Sequence, residues 1–202
     1  RNLLERALAA IPPAERMVGF GFHMGPIRYN RTGLGGEAIQ LIAAEFYRSG
    51  DSAKAIKLIK QIEPQYRISV CLEVVRDQLA NSTSQFNPVA LAEAVEPEYA
   101  SELLLAASAF KIESGDMGGA RTFYERALKA KWPSDASRQS AIGRNFVRVA
   151  AILGDSKLVA SALSMSLKYA LAIEDPERRT LHIASLVFWR IYRIPISAQI
   201  RF

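Results

Sequence analysis

The sequence predicts an all-α protein. Three observations support this prediction: apolar residues recur at intervals of three and four through residues 36–193, the pair Gly-Asp occurs three times, and proline follows an acidic or aromatic residue at four places. Apolar spacing of three and four is typical of one buried face of a helix. Strict alternation of apolar and polar residues, which is typical of strands, is rare until the last nine residues.

The recurring Gly-Asp and proline positions divide the chain into helices. Glycine accepts the left-handed conformation that ends a helix, and the aspartate after it can cap the next helix. Proline is favoured at a helix start and is excluded from a helix interior. The pairs are Gly50-Asp51, Gly115-Asp116 and Gly154-Asp155, and the prolines are Pro64, Pro97, Pro133 and Pro176 at spacings of 33, 36 and 43 residues. The chain therefore follows the order helix, turn, helix, proline break.

Apolar faces between these positions predict nine helices. We expect them near residues 36–49, 52–63, 65–80, 87–95, 98–114, 117–131, 135–153, 156–173 and 177–193. Helices joined by so short a turn must be antiparallel neighbours. Because no pair can bury both its faces alone, we expect successive pairs to stack on one another. The predicted organisation is an N-terminal helix with an irregular glycine-rich connection over 1–35, a helical repeat domain over 36–193, and a tail over 194–202 whose alternating pattern is that of an extended segment.

Residues 104–133 resemble a tetratricopeptide repeat. The residues that carry the resemblance are Leu104, Ala107, Ser108, Gly115, Asp116, Ala120, Tyr124, Ala127 and Pro133. Residues 44–64 and 141–166 match the same pattern more loosely. The resemblance implies helix hairpins stacked as a right-handed superhelical solenoid. It also implies that a protein or peptide binds in a concave groove lined by the first helix of each pair.

Composition and charge narrow the class of partner. Half of the residues are apolar and 23% are charged, which is enough apolar material for a packed core. The net charge of +6 lies in the second half, because residues 1–100 hold 11 basic and 11 acidic side chains whereas residues 101–202 hold 15 and 9. This imbalance favours an acidic peptide, nucleic acid or an anionic membrane surface. No apolar run approaches the roughly 20 residues of a membrane-spanning helix.

The compartment is left open by the sequence. The single cysteine, Cys71, cannot form an internal disulfide and lies in an apolar helical run, where we expect a buried and unreactive thiol. The sequence begins at Arg1 and not at Met, from which we expect part of a longer chain or a processed product. A cytoplasmic location is favoured, and a processed secreted or periplasmic form stays open.

No catalytic, cofactor or metal site is predicted. The glycines of Gly19–Gly25 have the spacing G-x-G-x-x-x-G with no strand before them, which does not fit a dinucleotide-binding fingerprint. The two histidines, His23 and His182, have no cysteine, histidine or carboxylate at metal-ligand spacing. No two carboxylates lie together in an apolar run, as a general acid with a raised pKa would require. We therefore expect a protein that is not an enzyme.

Arg144, Asn145 and Arg148 form the candidate binding site. The two arginines are four residues apart in one predicted helix. Like charges at this spacing cost an isolated helix about 0.2–0.5 kcal/mol, a cost that an acidic ligand would offset. Matched to the tetratricopeptide pattern, they point into the groove, where some members of that family hold the C-terminal carboxylate of a peptide. The complementary Lys and Asn that the resemblance implies on the earlier repeats are missing, because Gln40 and Ala44 occupy those positions. A solvated helix face is the alternative explanation for the two arginines.

The last predicted helix is a candidate interface. Leu181–Ile194 contains 10 apolar residues among 14, whereas the final helix of a solenoid normally has a polar outer face. We expect Leu181, Phe188, Trp189 and Tyr192 to pack against another subunit, a following part of the protein or the tail.

These observations together predict a non-enzymatic interaction scaffold. It would bind a protein or peptide partner in a partly basic groove and would self-associate or continue through its last helix. One alternative is a helical-repeat module that binds nucleic acid, which a steep salt dependence would mark. The other is a helical accessory domain of a larger enzyme.

Overall fold

A computed structural model describes residues 5, 6, 9, 34–62, 64–81 and 86–191. All regular secondary structure within these residues is helical. The helices are α1 (Leu34–Arg48), α2 (Ser52–Lys60), α3 (Pro64–Asn81), α4 (Pro88–Val95), a 3-10 turn (Pro97–Tyr99), α5 (Ala100–Glu113), α6 (Met117–Lys129), α7 (Ala136–Ile152), α8 (Ser156–Leu171) and α9 (Pro176–Ile191). The all-α prediction is therefore confirmed, and the nine expected helices are present with ends that differ by three residues at most.

The described helices belong to two compact units, one within residues 1–96 and the other within residues 97–202. In the first unit, α1 packs against α2 and α3, and α4 also packs against α2 and α3. In the second unit, α5 packs against α6 and α7, α7 packs against α8, and α9 packs against both α7 and α8. The single repeat domain expected over 36–193 includes helices of both units and stays a prediction. The glycine-rich connection and the tail lie outside the described residues.

Three turns of the same kind join α1 to α2, α5 to α6 and α7 to α8. The glycine in each has a positive φ, which is 84° at Gly50, 81° at Gly115 and 70° at Gly154. The next residue is an aspartate whose side chain accepts a backbone N–H from the first turn of the following helix. At the second turn, for example, the Asp116 carboxylate accepts from the Gly119 N–H at 2.8 Å. These turns confirm the prediction made from the Gly-Asp pairs.

A proline and an arginine three residues later mark two other helix starts. Pro64 and Pro176 are the first residues of α3 and α9. The Arg67 side chain donates to the carbonyls of Ile62 at 2.8 Å and Lys60 at 3.0 Å. In the same way, Arg179 donates to the carbonyls of Ile173 at 2.8 Å and Glu174 at 2.9 Å. Each arginine thus satisfies carbonyl groups at or just after the end of the preceding helix.

Small residues lie where the helices of the second unit approach each other most closely. The buried Ser108 hydroxyl of α5 donates to the Ala120 carbonyl of α6 at 2.6 Å. Between α7 and α8, a methyl group added at Gly143 would lie 2.8 Å from the Ser166 Cβ and 2.9 Å from its Cα. The Ser166 hydroxyl donates to the Ser140 carbonyl at 3.2 Å. The crossing of α7 and α8 thus leaves no room for a larger side chain at Gly143.

Aromatic rings complete the core of the second unit. Phe146 of α7 is fully buried and contacts the Tyr124 ring edge to face, with centroids 5.1 Å apart. On its other side Phe146 stacks on Trp132 at 5.0 Å, and Trp132 contacts Tyr169 of α8 at 5.5 Å. The rings therefore connect α6, the α6–α7 loop, α7 and α8 through one continuous set of contacts.

No helix in the described part of the chain is both long enough and apolar enough to cross a membrane.

Replacing Gly143 with alanine tests the close contact between α7 and α8. We expect the Gly143→Ala variant to lose about 1–3 kcal/mol of unfolding free energy, because the added methyl group meets the Ser166 backbone and overpacks the interface. Gly118→Ala is the matched control, since an added Cβ there meets no atom closer than 3.9 Å. We expect this control to be neutral or up to about 1 kcal/mol more stable, through helix propensity. Urea denaturation measures the unfolding free energy of both variants and of the wild type. A Gly143→Ala variant as stable as the Gly118→Ala control would contradict the close contact.

Candidate functional site

Arg144 and Arg148 lie one turn apart on α7 and line a single pocket. The pocket has a volume of about 220 Å³ including space open to solvent. Its other lining residues are Val147 of α7 and Ser185 and Leu186 of α9. Both arginines are partly buried, and Val147 is buried. The pocket therefore combines two cationic groups with an apolar wall, between two helices of the second unit.

Hydrogen bonds hold the first arginine more firmly than the second. Arg144 Nη1 donates to Ser185 Oγ at 2.6 Å, and the Ser185 hydroxyl in turn donates to the His182 carbonyl at 2.7 Å. Arg148 Nη1 has one long contact, 3.4 Å to Asn145 Oδ1. Its Nε is buried and has no hydrogen-bond acceptor among the described residues. Arg148 thus keeps donor capacity that the described part of the protein does not use.

The two guanidinium groups carry positive charge that no carboxylate in the described part of the chain neutralises. Within the described part of the chain, neither group forms an ion pair with a carboxylate. Burial lowers the pKa of Arg144, and the charge of Arg148 lowers it further. Burial also lowers the pKa of Arg148. Because the ordinary pKa of arginine is above 12, both groups stay charged at neutral pH. An anion that enters the pocket would therefore meet two desolvated cations.

His182 lies beside this pair, on the turn of α9 that precedes Ser185. Its ring is partly buried, and Nδ1 is buried without a hydrogen-bond partner among the described residues. Burial lowers the pKa of His182, and the charge of Arg144 lowers it further, whereas Asp135 at the start of α7 acts in the opposite direction. The imidazole is therefore neutral at pH 7.

A third arginine of α7 has a different environment. Arg138 Nη2 donates to the Glu102 carboxylate of α5 at 2.5 Å, and its guanidinium lies 4.9 Å from the centre of the Tyr99 ring. Burial raises the pKa of Glu102, and the charge and hydrogen bond of Arg138 act against that rise. Glu102 and Arg138 thus form an ion pair between α5 and α7.

The structure brings together the three residues predicted for the groove. Arg144 and Arg148 line one pocket, and Asn145 contacts Arg148. The sequence did not identify Ser185 as a partner of Arg144. The available signal was a serine among the apolar residues of the last helix. The residue pattern of a single helix does not show which residue of another helix, here 41 positions away, contacts that serine.

The predicted C-terminal interface is described only in part. Leu181 of α9 is 68% exposed, and Val187, which the sequence did not single out, is 58% exposed. Phe188 and Trp189 belong to α9 but lie outside the side chains that the structure describes, and Tyr192 lies outside the described residues. The partner of this face stays a prediction.

The single cysteine is not part of the arginine pocket. Cys71 is fully buried in α3, and this burial raises the pKa of its thiol to about 12. The thiol is therefore protonated and unreactive at neutral pH, as the apolar run predicted. No group of three or more metal-ligating side chains occurs within the described ranges. His23 lies outside them.

Comparison with known proteins gave no significant match to a protein-family model, a curated protein or a solved structure. The resemblance to tetratricopeptide repeats therefore rests on the residues quoted above and stays a prediction.

Replacing Arg148 with methionine tests whether its charge serves the fold. We expect Arg148→Met to leave the unfolding free energy unchanged or to raise it by up to about 1 kcal/mol, because a partly buried charge without a counterion, four residues from a like charge, is removed. Arg138→Met is the matched control on the same helix. It should cost about 1–3 kcal/mol, because Glu102 is left without its partner. Chemical denaturation at low salt measures both, and an equally large loss for Arg148→Met would assign that residue to the fold.

Proposed function

We propose that this protein is a non-enzymatic interaction module that binds an acidic segment of a partner protein in a groove containing Arg144 and Arg148. The observation that carries the proposal is the pair itself: two partly buried guanidinium groups face one pocket and have no carboxylate partner among the described residues. Taking such charges out of water costs free energy unless an opposite charge compensates it. A carboxylate from a partner would supply that compensation and would accept the hydrogen bonds that Arg148 leaves unused.

The pocket walls favour a peptide over a nucleic acid. Val147 and Leu186 stand beside the two arginines, so that the pocket offers apolar contact next to its charge. A peptide can place an aliphatic side chain beside a carboxylate. Nucleic acid is held chiefly by an exposed series of basic residues that follows several phosphates, with aromatic platforms for the bases. The lining of this pocket holds two arginines, two aliphatic side chains and one serine, and no aromatic ring on which a base could stack.

The order of helix contacts supports the finer architectural proposal. Within the second unit, α5 contacts α7 and α7 contacts α9, while α6 packs on α5 and α8 packs on α7. In a solenoid of antiparallel helix pairs the first helices of successive pairs are neighbours and line the concave face. We propose that α5–α9 form such a stack, similar to tetratricopeptide repeats. The two arginines then lie on a first helix, at the groove.

Charge reversal at the pocket tests the proposal directly. Immobilised wild-type protein and the double variant Arg144→Glu/Arg148→Glu are exposed to the same cell lysate, with and without nuclease, and a captured acidic protein is then titrated as a purified partner. We expect the double variant to lose at least about 2 kcal/mol of binding free energy, as for other buried charged groups at interfaces. This corresponds to a loss of about 30-fold in affinity.

The control must change the net charge equally at another place. The double variant Lys157→Glu/Lys168→Glu alters two exposed residues of α8 and, like the pocket variant, lowers the net charge of +6 by four. It should bind the partner within about threefold of wild type, because exposed charges contribute little to affinity. Equal losses in both double variants would mean that only overall charge matters. Material that disappears on nuclease treatment would instead favour nucleic acid as the ligand.

A further inference from the structure

The backbone carbonyl of His182 is joined to the arginine pocket through a short chain of hydrogen bonds. Ser185 Oγ accepts from Arg144 at 2.6 Å, and the same hydroxyl donates to the His182 carbonyl one turn earlier in α9 at 2.7 Å. The imidazole Nδ1 is buried and has no partner among the described residues. His182 is the residue near the pocket whose charge can change between pH 5 and 8. It lies next to the pocket and does not line it.

The charges that act on this imidazole come from α7 and from the residue that caps its N-terminus. Burial disfavours the protonated ring most, the charge of Arg144 disfavours it further, and Asp135 favours it. The other helix packed against α9 is α8, whose ionisable side chains Lys157, Lys168 and Tyr169 are not among the groups that act on the imidazole. In the free protein, the guanidinium of the pocket is thus the charged group that opposes protonation of His182.

We infer that binding of an oxyanion in this pocket is accompanied by uptake of a proton at His182. The inference rests on the proposed function, because it requires that the pocket takes an anion. A negative charge beside Arg144 offsets the positive charge that opposes the imidazolium, so the protonated ring becomes less unfavourable. The coupling is reciprocal: if the anion favours the proton, the proton favours the anion by the same factor.

The direction of the pH dependence follows from the two states. Without the anion, the pKa of His182 lies below its ordinary value of about 6.5. With the anion bound, the pKa is higher, so the bound state holds more protons in the interval between the two values. Affinity for the anion is therefore greatest below the free-state pKa and declines as the pH rises through the bound-state pKa. A binding module of this kind holds its acidic partner more tightly under acidic conditions.

Sulfate is the first probe, because its charge does not change between pH 5.5 and 7.5. Its binding is followed by NMR through the side-chain N–H signals of Arg144 and Arg148, at ionic strength held constant with sodium chloride. The His182 imidazole is titrated with and without sulfate in the same samples. We expect its titration midpoint to move to higher pH when sulfate is bound. The affinity at pH 5.5 should exceed that at pH 7.5 by about fivefold or more, the lower end of common couplings between two sites.

Two histidine variants isolate the source of the effect. His182→Gln should bind sulfate at pH 7.5 about as well as wild type and should lose the increase at pH 5.5, because glutamine does not titrate. His23→Gln, which alters the only other histidine, should keep the increase. A blocked peptide of alternating aspartate and leucine, whose carboxylates titrate well below pH 5.5, should show the same pattern as sulfate.

The outcomes separate the inference from the proposed function. Sulfate and peptide that bind at the arginines without moving the His182 titration would overturn the proton coupling and would leave the interaction module in place. A pH dependence that persists in His182→Gln would also overturn the coupling. If neither sulfate nor the peptide perturbs the signals of Arg144 and Arg148 at any pH, the pocket is not an anion site. That result would refute the proton coupling and the proposed function together.

Discussion

The turn in which a glycine of positive φ precedes a capping aspartate constrains every helix pair that it joins. It occurs between α1 and α2, α5 and α6, and α7 and α8, and each time only three residues separate the two helices. The two helices of each pair pack against each other. Close packing along the whole interface then requires small residues where the backbones are nearest, as at Ser108 against Ala120 and at Gly143 against Ser166.

This constraint also decides which face of α7 lines the pocket. The side of α7 that carries Gly143 packs against α8, and the side that carries Phe146 packs into the aromatic core. Arg144 is one residue beyond Gly143, about 100° further round the helix, and its side chain reaches α9 at Ser185. The pocket therefore lies on the side of α7 that the helix pair itself does not use. Its position follows from the packing of α7 against α8 together with the placement of α9.

The local features of this protein could be predicted from its sequence, and the contacts between distant residues could not. The Gly-Asp pairs specify both a backbone conformation and a cap, which depend on neighbours within three or four residues, so they predicted the turns correctly. Spacing on a single helix likewise predicted that Arg144 and Arg148 share a face. By contrast, the partner of Arg144 is on another helix, and the partner of Arg138 is Glu102, 36 residues earlier. Such pairings depend on how helices pack, and no periodicity within one helix encodes them.

The contrast among the arginines of α7 supports a role outside the fold for two of them. Arg138 is paired with a carboxylate and lies over an aromatic ring, which is the arrangement expected of a charge that stabilises its own protein. Arg144 and Arg148 are also partly buried, but the described residues give them a serine hydroxyl and one distant amide oxygen. These two arginines repel each other, and none of the carboxylates that the structure describes is paired with them. On the proposed function, their unfavourable electrostatics in the free protein become favourable when a partner brings the missing negative charge.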